Sequence, residues 1–427
     1  MNIFPSLEQR LFPFEFYSTM RRSNPVVYDE LNNVWGVFRF DDVQYVITNY
    51  AEFSSANNSF SSSLRPGLLQ ADPPYHKTLR TVISSAFTPT IVAKLKPRIE
   101  EITQTLLNRV VEKGRLDLIS DLAYPLPVTI IAELLGVPIQ HRELFHLWAD
   151  TLHDALNAGI KFSLRRTSDQ GNAPDDRSYN NHTNITKIQE EMDSYFNRIV
   201  QDRTKEPKED LITNLINSRI DGHFLSNEEI LTFCRVLLVA GHVTTYNLIG
   251  NTVLSLLQNP EQFNQLKQET SLIASTVTET LRYRSPVQAV SRVTTKAVKV
   301  GGKKIGRGQR IIAWIGSANH DESKFTDPES FDIRRSISSS VSGQSHPLPS
   351  PQHLAFGQGI HYCLGAPLAD LEVQIVLRVI LQRLHGLTFD FNGNEDNNSA
   401  MLEPIRSTFF HGLAHLPLRF DPSVCEN

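Results

Sequence analysis

Cysteine is scarce, with three residues in 427. They are Cys234, Cys363 and Cys425, an odd number without regular spacing or any CxxC pair. That excludes a disulfide framework and argues for a reducing compartment. Long apolar runs are also missing: no segment reaches about 18 uninterrupted apolar residues, so no transmembrane helix is expected. The opening MNIFPSLEQRLFPFEFYS has no apolar core of the signal-peptide kind. A soluble, cytoplasmic chain without a membrane anchor is the expectation. Charge of one sign is lacking too, since a net charge of −4 offers no basic field for nucleic acid. No internal repeat is visible. What is present is 40% hydrophobic residues, ample for a large core, and a single domain over residues 1–427 is expected.

Against that background Cys363 stands out. It lies in HLAFGQGIHYCLGAPLA, His353 to Ala369. A lone cysteine is ordinarily a small buried hydrophobe. Here Gly357, Gly359 and Gly365 allow tight turns and close approach to something flat and bulky. Ala366 and Pro367 open a helical pattern, with Leu364, Leu368 and Leu371 repeating on one face. Cys363 therefore precedes a helix N-terminus, where the dipole and free N–H groups favour a thiolate. Zinc would need about three further Cys or His ligands at suitable spacing. Haem iron needs only one thiolate in such a loop, because the porphyrin supplies the other nitrogens.

Phe356, Gly357, Gly359, His361, Cys363, Gly365 and Ala369 match FGxGxHxCxGxxLA, and the stretch resembles the haem-binding loop of a cytochrome P450. Further motifs follow in family order. ADPPYHKTLR places His76 and Arg80 at i and i+4 on one helix face. Alone this is an ordinary surface pair, but it resembles DPPxHxxxR, whose His and Arg contact the haem propionates. ETLRYRSP places Glu279 and Arg282 three apart, like the family's buried ExxR pair, which is tied to a second arginine; Arg334 in FTDPESFDIRR takes that position. ANHDESKFTDPESFD resembles ANRDxxxFxDPxxFD, with His320 in place of Arg. Arg292, in AVSRVTT, corresponds to an arginine that reaches a propionate, and His361 joins His76, Arg80 and Arg292 in that role.

Ser226 and Glu229 read as a capping box opening a helix of roughly 30 residues, closed by Pro260. At 1.5 Å per residue it spans on the order of 45 Å. AGHVTT, residues 240–245, lies in its middle. Thr244 can bond the helix backbone or open it. The family pattern here is AGx(D/E)T, where the threonine assists oxygen activation and the acid connects a proton path. Thr244 matches, but Val243 replaces the acid and cannot relay protons. His242 is one residue early and about 100° round the helix, so it does not take the acid's place. Protons must then come through water, Thr244, Thr245 or a substrate group.

The rest is read more coarsely. Residues 26–40 form a hairpin turning at Asn32-Asn33. Asp41 and Gln44 suggest a capping box over the next helix. Helical periodicity runs through 92–112, 128–135, 141–156 and 185–204, and strands fall near 287–315 and 385–420. Residues 54–69 read as a loop that could act as a lid. Residues 162–184 and 336–352 read as flexible insertions.

The resemblance implies a mainly α cytochrome P450 fold with a small β-rich lobe around haem b (iron protoporphyrin IX), whose iron takes Cys363 as axial ligand. It implies a monooxygenase that takes O2 and two electrons from a ferredoxin or flavodoxin and its reductase, since the chain has no flavin or iron–sulfur motif. The pocket is expected at Val236, Leu237, Val239, Ala240, Val287, Val290 and Phe409, and its apolar character points to a fatty acid, terpenoid or steroid. Val243 keeps alternatives open: a peroxide-using peroxygenase, a haem-thiolate isomerase, or a non-catalytic ligand sensor.

Overall fold

The structure is a computed structural model that describes residues 1–56, 67–84, 87–141, 143–149, 151, 176–220, 223–338, 353–391 and 402–422. Helices dominate, and one of them organises the rest. Asn227–Gln258 runs for 32 residues, about 48 Å at the α-helical rise. Its capping box forms as expected: Ser226 Oγ accepts from the Glu229 N–H at 3.3 Å, and the Glu229 carboxylate accepts from the Ser226 N–H at 2.8 Å. Apolar residues occur all round this helix, as befits one buried among others. It packs against Pro125–Leu134, Ile273–Tyr283 and Ala366–Arg383 in the largest core. Buried polar side chains on it turn back on the helix: Thr252 donates to the Leu248 carbonyl and Ser255 to the Asn251 carbonyl, each at 2.7 Å.

The β-rich lobe is a five-stranded sheet in the order Val26–Asp29, Val34–Val37, Arg310–Ala313, Val290–Thr294, Phe53–Ser54. Only the Val34–Val37 and Arg310–Ala313 pair is parallel. Asn33 adopts a φ of +52° in the expected hairpin turn. Two smaller cores flank this sheet. A second sheet joins Thr388–Phe389, Pro417–Arg419 and Arg115–Asp117.

Several local expectations are corrected. The 92–112 helix is two helices, Pro89–Lys94 and Lys96–Asn108; Pro97 has no N–H to continue the first. The Asp41/Gln44 capping box does not form. The helix starts one residue earlier, at Phe40, whose N–H donates to Asp321 Oδ2 at 2.7 Å. Asp41 instead pairs with Lys324, and Gln44 bonds Gln358. The helix expected at 185–204 begins at Asp176 and ends at Lys205, so residues 176–184 of the supposed insertion are helical, and 162–175 lie outside the described residues. Of the second insertion, Arg335–Ser338 is a short helix and 339–352 fall outside. Most of the supposed lid, 57–66, also lies outside, as do 142, 150 and 152–156 of the 141–156 helix.

Candidate active site

The glycine-rich loop is folded back on itself. Gly357 and Gly359 have φ of +69° and +73°, a region that L side chains rarely enter. A Cβ on Gly359 would come within 3.3 Å of the Thr48 backbone. The Cys363 N–H donates to the Phe356 carbonyl at 2.8 Å, closing the loop. The helix Ala366–Arg383 follows, with Pro367 in its first turn. Cys363 is exposed, although protein crowds its sulfur on the remaining sides. That crowding pushes the thiol up, while the N–H groups of Gly365 and Ala366 and the charge of Arg80 pull against it. Desolvation outweighs them, although the N–H groups at the helix start favour the thiolate as expected. A bound metal cation would reverse the balance, since a coordinating thiol is deprotonated outright. Among the described residues no three His, Cys, Asp or Glu side chains converge on a metal site, so zinc has no ligand set there.

Beside the loop lies a cationic cluster. His76 and His361 meet edge to face with ring centroids 4.5 Å apart. His76 is buried and its Nε2 has no hydrogen-bond partner. His361 Nε2 lies 3.1 Å from Ser55 Oγ. Arg80 donates to the Ile360 carbonyl at 2.9 Å, and Arg292 to the carbonyl of its own neighbour Ser291 at 2.8 Å. Burial holds Arg292 down at about 10, opposed by Asp72. His361 falls to about 3 through burial first, then through Arg292, His76 and Arg80. Asp72 itself accepts from Ser54 Oγ and the Ser55 N–H. Two arginines and two histidines thus share one region with one carboxylate. An orphaned donor site and surplus positive charge fit a group bearing two carboxylates.

Thr244 and Thr245 both donate back along the long helix, to the carbonyls of Ala240 and Gly241, at 3.0 and 3.1 Å. The helix stays closed there, and each hydroxyl oxygen keeps a lone pair for a further partner. Val243 is buried. Val236, Leu237, Val239, Val287 and Val290 are half-buried, and Ala240 is exposed. Phe409 is not among them. Its ring is buried in a core with Phe4 and Trp314, and the half-buried Phe410 makes the bridge to Val287 instead. A recess of about 170 Å³ lies between Gly67, Leu68, Leu79 and the first turns of the long helix at Glu229 and Thr232.

Glu279 and Arg282 are buried and bonded twice, at 2.7 and 2.9 Å. The second arginine is Arg335, not Arg334. Arg335 Nε donates to Glu279 Oε1 at 3.1 Å, whereas Arg334 turns outward to Glu269. The tandem FDIRR contains both, and only the path of the loop selects between them. Arg335 is the residue that sequence reasoning missed, and the adjacent arginine was its only signal.

Fold and site together define a mostly helical protein with a cysteine loop beside a cluster of two arginines and two histidines. The cytochrome P450 family pattern matches residues 32–406. The chain is 42% identical to cytochrome P450 109 of Bacillus spizizenii over 97% of its own length and 93% of that protein's. It is 36% identical to the erythromycin C-12 hydroxylase of Saccharopolyspora erythraea, covering 97% of this chain and 96% of that one. Its fold superposes on CYP109E1 from Bacillus megaterium in complex with testosterone with a TM-score of 0.79, at 35% identity, over 96% of this chain and 99% of that one. The chain belongs to the cytochrome P450 family. It is a monooxygenase, and membership brings a haem cofactor, O2 and redox partners. No helix among the described residues is long and apolar enough to cross a membrane.

Proposed function

We propose that this enzyme hydroxylates a lipophilic small molecule of the fatty acid, terpenoid or steroid class. One oxygen atom of O2 enters the substrate and the other leaves as water, with two electrons and two protons consumed. The cofactor is haem b, and the protein acts in the cytoplasm, where a ferredoxin or flavodoxin and its reductase supply the electrons. When bound, the haem supplies the iron centre at which O2 is activated. The observation that carries the reading is the meeting of an exposed cysteine with the cluster of His76, Arg80, Arg292 and His361.

Cys363 would supply the thiolate that ligates the haem iron, and the Gly365 and Ala366 N–H groups would temper the charge on that sulfur. The Arg80 and Arg292 guanidiniums, with N–H donors from the neutral imidazoles of His76 and His361, would hold the two propionates. Thr244 and Thr245 orient water toward the reacting centre. Val236, Leu237, Val239, Ala240, Val287 and Val290 supply an apolar wall that excludes bulk water. The testosterone complex of the Bacillus megaterium relative supports a ligand of steroid size.

Two measurements test the reading. Carbon monoxide added to the reduced holoprotein should give the absorption band of thiolate-ligated haem, and Cys363→Ala should abolish it; an unaltered spectrum overturns the assignment. Fatty acids, terpenoids, steroids and macrolides should then be screened for a Soret shift, and a shift confined to macrolides would overturn the proposed substrate class.

Val243 supports a second reading, in which peroxide drives the reaction and no acid-fed proton path is needed. The residue is 2% exposed and sits in the largest core, so the acid's position holds a packed methyl-bearing side chain. Turnover with hydrogen peroxide exceeding turnover with NAD(P)H and redox partners would favour it. If Val243→Glu raises coupled turnover, proton supply limits the wild type.

A further inference from the structure

The N-terminal stretch fastens the two segments that carry Val287, Val290 and Phe410. The buried Tyr17 donates its hydroxyl to Gln288 Oε1 at 2.6 Å. Gln288 donates from Nε2 to the Ser285 carbonyl at 2.6 Å and from its backbone N–H to the Phe409 carbonyl at 2.8 Å. Its own carbonyl accepts from Gly316 at 3.0 Å. This amide is buried and pinned on every side, so removing one partner leaves a polar atom to be satisfied by rearrangement.

The Leu11 carbonyl makes the second attachment. It accepts from Arg284 Nη1 at 3.0 Å and from His411 Nε2 at 3.1 Å. Arg284 begins one segment and His411 ends the other, and the His411 N–H donates to the Pro286 carbonyl at 2.9 Å. Phe4 makes the third, edge-on to Trp314 and Phe409 with centroids 5.8 and 6.3 Å away.

We propose that this N-terminal stretch is a positioning element for substrate selection. Through Tyr17 and the Leu11 carbonyl it sets where Val287, Val290 and Phe410 stand, and so how much room a substrate has beside that wall. The inference rests on the assignment of Val287 and Val290 to the pocket.

The test uses the haem-loaded protein and two iron-binding probes. Imidazole is small and contacts the wall little, whereas 4-phenylimidazole needs room beside it. Tyr17→Phe removes one hydroxyl and keeps the ring. It should change the ratio of the two dissociation constants at least threefold, with the carbon monoxide band retained. Val287→Phe alters the wall directly. If it moves the ratio and Tyr17→Phe does not, the positioning inference fails while the pocket assignment stands. If neither moves it, both fail. A lowered Tm with an unmoved ratio marks a merely structural role and overturns the inference. Should Tyr17→Phe fail to retain haem, Phe4→Leu puts the same question, with the same threefold change expected and an unmoved ratio counting against it.

Discussion

The two adjacent arginines after the ExxR helix are predicted to differ sharply in their effect on stability. Glu279 Oε1 accepts from Arg282 at 2.7 Å, from the Asp332 N–H at 3.1 Å and from Arg335 at 3.1 Å. The Glu279 side chain is 3% exposed, so each bond to it is charge-assisted and poorly replaced by water. Arg335→Ala removes one such bond and strips donors from the Asp327 and Ser330 carbonyls. A cost of about 2–3 kcal/mol follows, because Arg282 still neutralises the carboxylate. Glu279→Gln leaves Arg282 buried without its counter-charge and should cost more, about 3–5 kcal/mol. Arg334 pairs with Glu269 where the two side chains are 38% and 46% exposed, so Arg334→Ala should cost only about 0–1 kcal/mol. Arg335→Lys keeps the charge but loses the planar fork, and should recover little. Denaturant unfolding of the holoproteins, followed by tryptophan fluorescence, ranks the variants. If Arg334→Ala proves as damaging as Arg335→Ala, the assignment of the second arginine to position 335 is wrong.

Three further outcomes are expected. Burial raises the Glu372 carboxyl to about 8, above an unfolded value near 4.5, so the stability it confers is present at low pH and lost as pH climbs through about 8. Glu372→Gln mimics the neutral acid, and its denaturation midpoint should vary less than that of the wild type between about pH 5 and about pH 8; an identical slope would count against a protonated Glu372. Burial, then Arg284, with His320 adding a little, holds the His411 imidazole down at about 3 against the pull of the Leu11 carbonyl. The unfolded histidine, near 6.5, takes up a proton that the folded one refuses, so stability falls as pH drops from about 6.5 toward 3. His411→Asn should flatten that acid limb in an unfolding series, and an unchanged limb would mean other groups dominate it. Finally, His76→Ala should release haem to an acceptor protein several-fold faster than wild type, and an unchanged rate would remove His76 from the proposed propionate set.

Much of this protein was legible from local patterns. The glycines at 357 and 359, the capping box at Ser226 and Glu229, and the hairpin at Asn32-Asn33 each follow from backbone chemistry within a few residues. That is why the cysteine loop and the long helix are legible in the sequence. Other features depended on residues far apart in the chain. The Asp41/Gln44 capping box does not form; the helix opens at Phe40, whose N–H donates to Asp321, because a distant loop arrives at that helix end. Arg335 displaced Arg334, because the loop brings only one of two identical neighbours to Glu279. Phe409 turned inward, because Phe4 and Trp314 offer it a core that no periodicity announces. Sequence alone therefore determined which chemistry the chain carries, since a thiol, a helix cap or a turn is a local property. Tertiary structure decided which copy of a repeated residue type performs each role, since that depends on the meeting of surfaces tens to hundreds of residues apart.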